Sequence, residues 1–172
     1  EIEIVVMGTK GATGLKGILV GSVASNTVAQ VKCPILAVPE DSPIKKIEKV
    51  LFAVDDKTLN NGTLPDGFAD FVKNLGAKVV LLNVVEPGEI NHVGNSKSNQ
   101  RKPMGAFEGI DYTIEFVEDN DVSKGIVSYL KQNDFDLLAM ITRKDDLFSK
   151  MFGTSNTKQM MISTKVPLLA FH

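Results

Sequence analysis

Gly8, Gly11 and the pair Gly21-Ser22 are the residues of this chain whose types and spacing could hold an anion. They lie in the string VVMGTKGATGLKGILVGSVA, between an apolar run and a helix-like segment. A phosphate site needs backbone N–H groups converging on one point with no side chain in the way. Glycine removes the Cβ that would block the approach, and a helix N-terminus adds about half a positive charge. Gly8 leaves the end of a strand-like run, and the carboxyl ends of strands are where open α/β sheets bind ligands. Gly11 permits a close approach in the loop. Gly21-Ser22 opens the next helix, where the Ser22 hydroxyl can donate to a phosphate oxygen and also cap the helix. No Gly-Lys-Ser/Thr ending and no tight GxGxxG is present, so neither the P-loop nor the dinucleotide fingerprint applies. The plainer reading of the same glycines is tight strand-to-helix packing, and Gly14 and Gly17 read as loop geometry.

The elements that must position these residues alternate. Residues 2–7, IEIVVM, form a continuous β-branched run expected to be a strand buried on both faces. Residues 22–31 place Val23, Ala24, Val28 and Val31 on one helical face. Residues 33–38, CPILAV, read as a second strand, and residues 39–46 as a polar linker. A longer unit follows. Residues 50–55 are a strand, and residues 64–75 a helix with Pro65 in its first turn, Phe68, Phe71, Val72 and Leu75 inward, and Gly76 as its C-cap. Residues 78–85, KVVLLNVV, are a buried strand, and residues 86–107 a long loop. Residues 111–118 alternate as a half-exposed strand, residues 122–132 form a helix capped by Asp121, and residues 135–142 are a strand. A helix over residues 154–164 leads to the last strand, residues 166–172. Strands alternating with helices predict a parallel, doubly wound sheet.

The chain also repeats itself. IEIVVMGTK (residues 2–10) aligns with FDLLAMITR (residues 135–143), Gly21-Ser22 with Gly153-Thr154, and CPILAV with VPLLAF. The expectation is a tandem arrangement whose first copy is represented by its C-terminal part. Each copy then ends on a strand with an exposed apolar edge, and such edges are hazards unless paired. The two last strands, residues 35–38 and 168–171, are expected to pair antiparallel, and the protein to be a homodimer or larger.

Gly8, two residues, Gly11, nine residues, then Gly21-Ser22 matches the ATP-binding pattern of the universal stress protein family, which the chain resembles throughout, CPILAVP included. The resemblance implies an α/β, Rossmann-like fold of the adenine nucleotide alpha hydrolase-like type. It implies a parallel five-stranded sheet, with a partial second copy of the same fold. Residues 1–39 would be the C-terminal part of a first domain, residues 40–48 a linker, and residues 49–172 a second, complete domain. It further implies ATP, with Mg2+, whose phosphates lie on the Gly8–Gly11 loop and on Gly21-Ser22, with Met7, Val23 and Ala24 close by. The family's strand-end aspartate is matched in the second copy by Asp55. There Ile141 and Lys144 stand near the positions of Gly8 and Gly11, so that copy reads as a partner domain without nucleotide. For Asp55, capping of a turn is the ordinary alternative to an adenine contact.

Other chemistry finds little support. His92 and His172 have no cysteine or carboxylate cluster at ligand spacing, which argues against a metal site. The adjacent acids Asp55-Asp56 and Asp145-Asp146 need not converge on one substrate. No nucleophile, base and orienting group come together, so the protein is expected not to be an enzyme; an adenylyl-transferring enzyme would need a further motif. The 172 residues, 43% hydrophobic and 23% charged, are ordinary for a globular chain. A formal charge of −2 argues against a nucleic-acid partner, and no apolar run is long enough for a bilayer. The single cysteine, Cys33, precludes an internal disulfide and fits a reducing cytoplasm. The reading is a cytoplasmic ATP-binding stress-response module. The alternative is a dimerising scaffold that binds no nucleotide.

Overall fold

Short β-branched and leucine-rich runs become strands where neighbouring strands take up their backbone hydrogen bonds, and seven such strands lie among the described residues. The structure, a computed structural model, describes residues 3–8, 33–90, 107–141 and 165–171. Its strands are β1 (Val5–Gly8), β2 (Ile35–Val38), β3 (Lys49–Ala53), β4 (Lys78–Val85), β5 (Tyr112–Glu118), β6 (Leu137–Ile141) and β7 (Leu168–Phe171). Its helices are α1 (Asp56–Asn61), α2 (Phe68–Leu75) and α3 (Val122–Gln132). One seven-stranded sheet has the order β1-β2-β7-β6-β3-β4-β5, and every neighbouring pair is parallel except β2 with β7. The five strands β3 to β7 are the doubly wound sheet expected for the longer unit.

Successive side chains of a strand point to opposite faces, so each central strand feeds two apolar layers. Leu51, Ala53, Leu82, Leu138 and Met140 meet Ile126, Val127 and Leu130 of α3 on one face. Val50, Phe52, Leu81, Leu137 and Ala139 meet Phe68 and Val72 of α2 and Leu59 of α1 on the other. Caps hold the helices in place. The Asp121 carboxylate accepts from the N–H groups of Ser123 and Lys124 at 2.9 and 3.2 Å, and Gly76 ends α2 at φ 62°. Gly125 lets α3 lie directly on β4. A Cβ built there would come within 2.7 Å of Val84 Cγ1, so this glycine is required by packing.

Several expectations are corrected. β1 is not buried on both faces: its residues alternate between half-buried and exposed, and among the described residues it pairs with β2 alone. The helix expected over residues 64–75 begins at Phe68, and Pro65 belongs to the preceding turn, where its carbonyl accepts the Phe68 N–H. The six-residue α1 was not anticipated. It lacks an apolar stripe and exists because Asp55 caps its start and Gly62, at φ 64°, ends it. Of the expected long loop, residues 86–90 turn back onto β5, where the Glu118 carboxylate accepts from the N–H groups of Gly88 and Ile90. Residues 91–106 and the helix expected over residues 154–164 lie outside the described residues.

The two ends of the repeat carry the same hydrogen bonds. Val5 pairs with Ile35 and Gly8 with Val38, as Leu138 pairs with Leu168 and Ile141 with Phe171. Val5 N–H donates to Pro34 O and Leu138 N–H to Pro167 O, each across 2.9 Å. The expected antiparallel contact of the last strands is present, with Ile35 opposite Ala170, Leu36 opposite Leu169 and Ala37 opposite Leu168. That register is self-complementary about Leu36 and Leu169, as an isologous contact must be.

At the amino ends of the strands, Asp136 clamps the start of β3 to β6. Its carboxylate accepts from the N–H groups of Glu48 and Lys49, both at 2.9 Å, and pairs with Lys45. Burial pushes this carboxyl up, but the Lys45 ammonium and the two N–H donors outweigh it and hold it below the usual carboxylate range. A folded-state pKa below the unfolded one stabilises fully above the unfolded value, near 3.9, and less as pH falls toward the folded value. Asp136→Asn should therefore lower stability at neutral pH by about 1.5–3 kcal/mol, the scale of a charged hydrogen bond. Denaturant titrations from pH 7 to pH 2 should show the variant and parent converging at the acid end. A gap that persists unchanged at pH 2 would assign the loss to shape rather than charge.

Candidate nucleotide site

The site follows from strand order. After β3 the chain winds outward through β4 and β5, then returns to β6 and β7 on the other side. The reversal opens a crevice between the carboxyl ends of β3 and β6, the place where such sheets bind ligands. Asp55 and Ile141 stand at its two sides.

Both residues make contacts within the protein. The Asp55 side chain accepts the Thr58 N–H at 2.7 Å and is the N-cap of α1. Its carboxylate therefore meets a helix start, as the ordinary reading of a strand-end aspartate has it. Ile141 is half-buried, with its side chain packed against the core layer on the α1–α2 face of the sheet.

Gly8, which ends β1 as Ile141 ends β6, is different. It is exposed, its φ is not positive, and a Cβ built on it meets no described atom within 4 Å. Among the described residues neither packing nor backbone conformation calls for glycine here, in contrast to Gly125. Met7, beside it, directs a half-buried side chain into the α3-side core, and it pairs with Ala37 of β2. Gly11, Gly21, Ser22, Val23 and Ala24, and on the other copy Lys144 and Gly153, lie outside the described residues.

One polar residue near the crevice was missed in the sequence. Asn83 is buried in β4, its amide donates to Val54 O at 3.0 Å, and its Oδ1 has no partner among the described residues. It thereby holds the segment that leads into Asp55. The signal was a single amide within the apolar run KVVLLNVV. Elsewhere, a hollow of about 270 Å³ lined by Val72, Lys73, Lys78, Ile110 and Asp111 lies at the amino ends of β4 and β5, opposite the crevice. Among the described residues no cluster of three metal-ligating side chains occurs, and no helix is long and apolar enough to cross a membrane.

Comparisons with known proteins agree with this architecture. The Universal stress protein family description matches residues 1–39 and 46–172. A universal stress protein from Methanocaldococcus jannaschii is 50% identical over 38 residues, 22% of either chain. Among solved structures, a universal stress protein from Archaeoglobus fulgidus superposes with a TM-score of 0.66 at 21% identity, over 98% of this chain and 60% of that one. A functionally unknown protein from Pseudomonas aeruginosa gives 0.64 at 13% identity, over 98% and 62%. The chain thus spans about three-fifths of the length of these solved proteins and 22% of the curated relative. With nearly all of its residues matched in two stretches, the chain belongs to the universal stress protein family.

Proposed function

We propose that the protein is an ATP-binding stress-response module, not an enzyme, whose phosphate site is the glycine loop that starts at Gly8. The observation that carries this reading is the open, exposed Gly8 at the carboxyl end of β1, a glycine that no described contact requires. The spacing to Gly11 and Gly21-Ser22 supports it, since it supplies backbone donors and a helix start at one place. ATP is the ligand, with Mg2+ neutralising its phosphates. The domain division at residues 40–48, a cytoplasmic location and assembly as a homodimer or larger belong to the same proposal. A thermal-shift comparison with and without Mg-ATP tests it. Ligand at a hundred times its dissociation constant should stabilise the folded state by about 2.7 kcal/mol, and an unmoved transition would overturn the reading.

The crevice beside Asp55 should stay empty. Ile141 fills the position that Gly8 leaves open, and the Asp55 carboxylate is engaged by α1. Crystals soaked in Mg-ATP should show no nucleotide between β3 and β6, and density there would overturn this assignment. The alternative, a scaffold that binds no nucleotide, draws on the isologous β2–β7 contact. The same thermal-shift experiment separates the two.

A further inference from the structure

Two turns stand side by side at the amino ends of β4 and β5, where Val79 pairs with Tyr112. The first ends α2: Gly76, at φ 62°, donates its N–H to Lys73 O, and Ala77 donates to Val72 O. The second leads into β5: Gly109 has φ 77°, and Ile110 donates its N–H to Phe107 O at 2.9 Å. The buried Phe107 ring lies 4.7 Å from that of Tyr112 and anchors this turn to the strand. Both walls of the hollow of about 270 Å³ between them are thus closed by their own hydrogen bonds. The hollow is preformed, and its size is close to the lower limit of small-molecule sites, about 300 Å³.

Its lining divides by chemistry. Val72, Ala77 and Ile110 supply an apolar floor. The N–H groups of Gly76, Ala77 and Ile110 already donate within the protein, so polar contacts to a ligand fall to side chains. Those are Lys73, Lys78 and Asp111, two cations against one anion. Lys78 meets Asp111 at 3.5 Å, with side chains 75% and 67% exposed, and such a pair holds its partners weakly. Lys73 has no carboxylate partner among the described residues. A Cβ built on Gly109 would lie 3.6 Å from Lys73 Cε and 4.0 Å from its Nζ, so the lysine stem reaches from α2 to the opposite turn. An unpaired ammonium beside an apolar floor suits an anion that carries an apolar body.

We propose that this hollow binds a small organic carboxylate, held by the Lys73 and Lys78 ammonium groups with its hydrocarbon part against Val72, Ala77 and Ile110. The site lies at the opposite end of the strands from the crevice between β3 and β6, and its occupancy requires no nucleotide.

The test uses benzoate, titrated into the whole isotope-labelled chain at constant ionic strength and followed by amide correlation spectra. The amides of Gly76, Ala77, Gly109 and Ile110 are expected to shift together and saturably. Lys73→Met and Lys78→Met keep a stem and remove a charge, and each should weaken binding about two- to fivefold, the scale of an exposed ion pair. Asp111→Asn removes the competing carboxylate and should tighten binding by a similar factor, which a merely structural role would not do. Inorganic phosphate, an anion without an apolar body, should shift the same amides less at equal concentration. Amides far from the hollow report that each variant is folded. Absence of saturable shifts, unchanged binding in both lysine variants, or equal shifts from phosphate would each overturn the proposal.

Discussion

Gly11→Val is expected to abolish measurable ATP binding, and Ser22→Ala to weaken it tenfold to a hundredfold, while both variants remain folded. The two substitutions act differently. A branched side chain at Gly11 occupies the volume through which the backbone N–H groups must reach the phosphates, so it blocks all of them together. Ser22→Ala removes a single donor. A hydrogen bond to a charged group contributes roughly 1.5–3 kcal/mol, and each 1.4 kcal/mol is a factor of about ten in affinity. Isothermal titration of Mg-ATP into parent and variants measures the effect, with circular dichroism as the check on folding. Because binding at a helix start is partly electrostatic, the parent's affinity should also fall as salt is raised. Parent-like affinity in both variants would remove the glycine loop from the proposed function. A loss in Gly11→Val alone would keep the loop and exclude the hydroxyl.

The second large effect is on stability. Phe68→Ala should destabilise the protein by about 3–5 kcal/mol, the usual cost of emptying a buried aromatic site. Phe68 is fully buried at the first position of α2. Its ring lies 4.4 Å from that of Phe52 in β3 and 5.6 Å, edge-on, from that of Phe171 in β7. One side chain thus joins a helix to two strands that flank β6. Its removal leaves a cavity bounded by three elements, and a rigid sheet cannot collapse to fill it. Phe71, half-buried three residues on, is the control and should cost clearly less. Guanidinium titrations with an unchanged slope would report the difference directly. A larger loss from Phe71→Ala than from Phe68→Ala would show that α2 is anchored elsewhere.

The strongest local patterns were legible in the amino-acid sequence. β4 runs over Lys78–Val85 and α3 over Val122–Gln132, the segments expected, because each carries one unambiguous periodicity and a clear boundary signal. The two last strands and their antiparallel contact were legible through the repeat, since two equivalent apolar edges have one symmetric way to cover each other. What escaped was decided by neighbours. α1 has no apolar stripe of its own and is held by its caps. Asp136 has no local partner in the sequence, and the fold sets against it Lys45 and two N–H groups some ninety residues away in the chain.

Residue order alone determined the alternation of strands and helices and the glycine pattern that nominates a phosphate site, and it carried the resemblance that pointed to the family. These rest on residue type and local order, which the chain carries along its own length. Tertiary structure alone decided that β1 pairs with β2 alone among the described residues, that Asp55 caps a helix, that Asn83 holds Val54, and that Gly8 is open where Ile141 is packed. Each of these depends on which strand lies beside which, and strand order is set by the packing of both faces of the sheet together. A β-branched run reads the same whether one neighbour or two will come to lie against it.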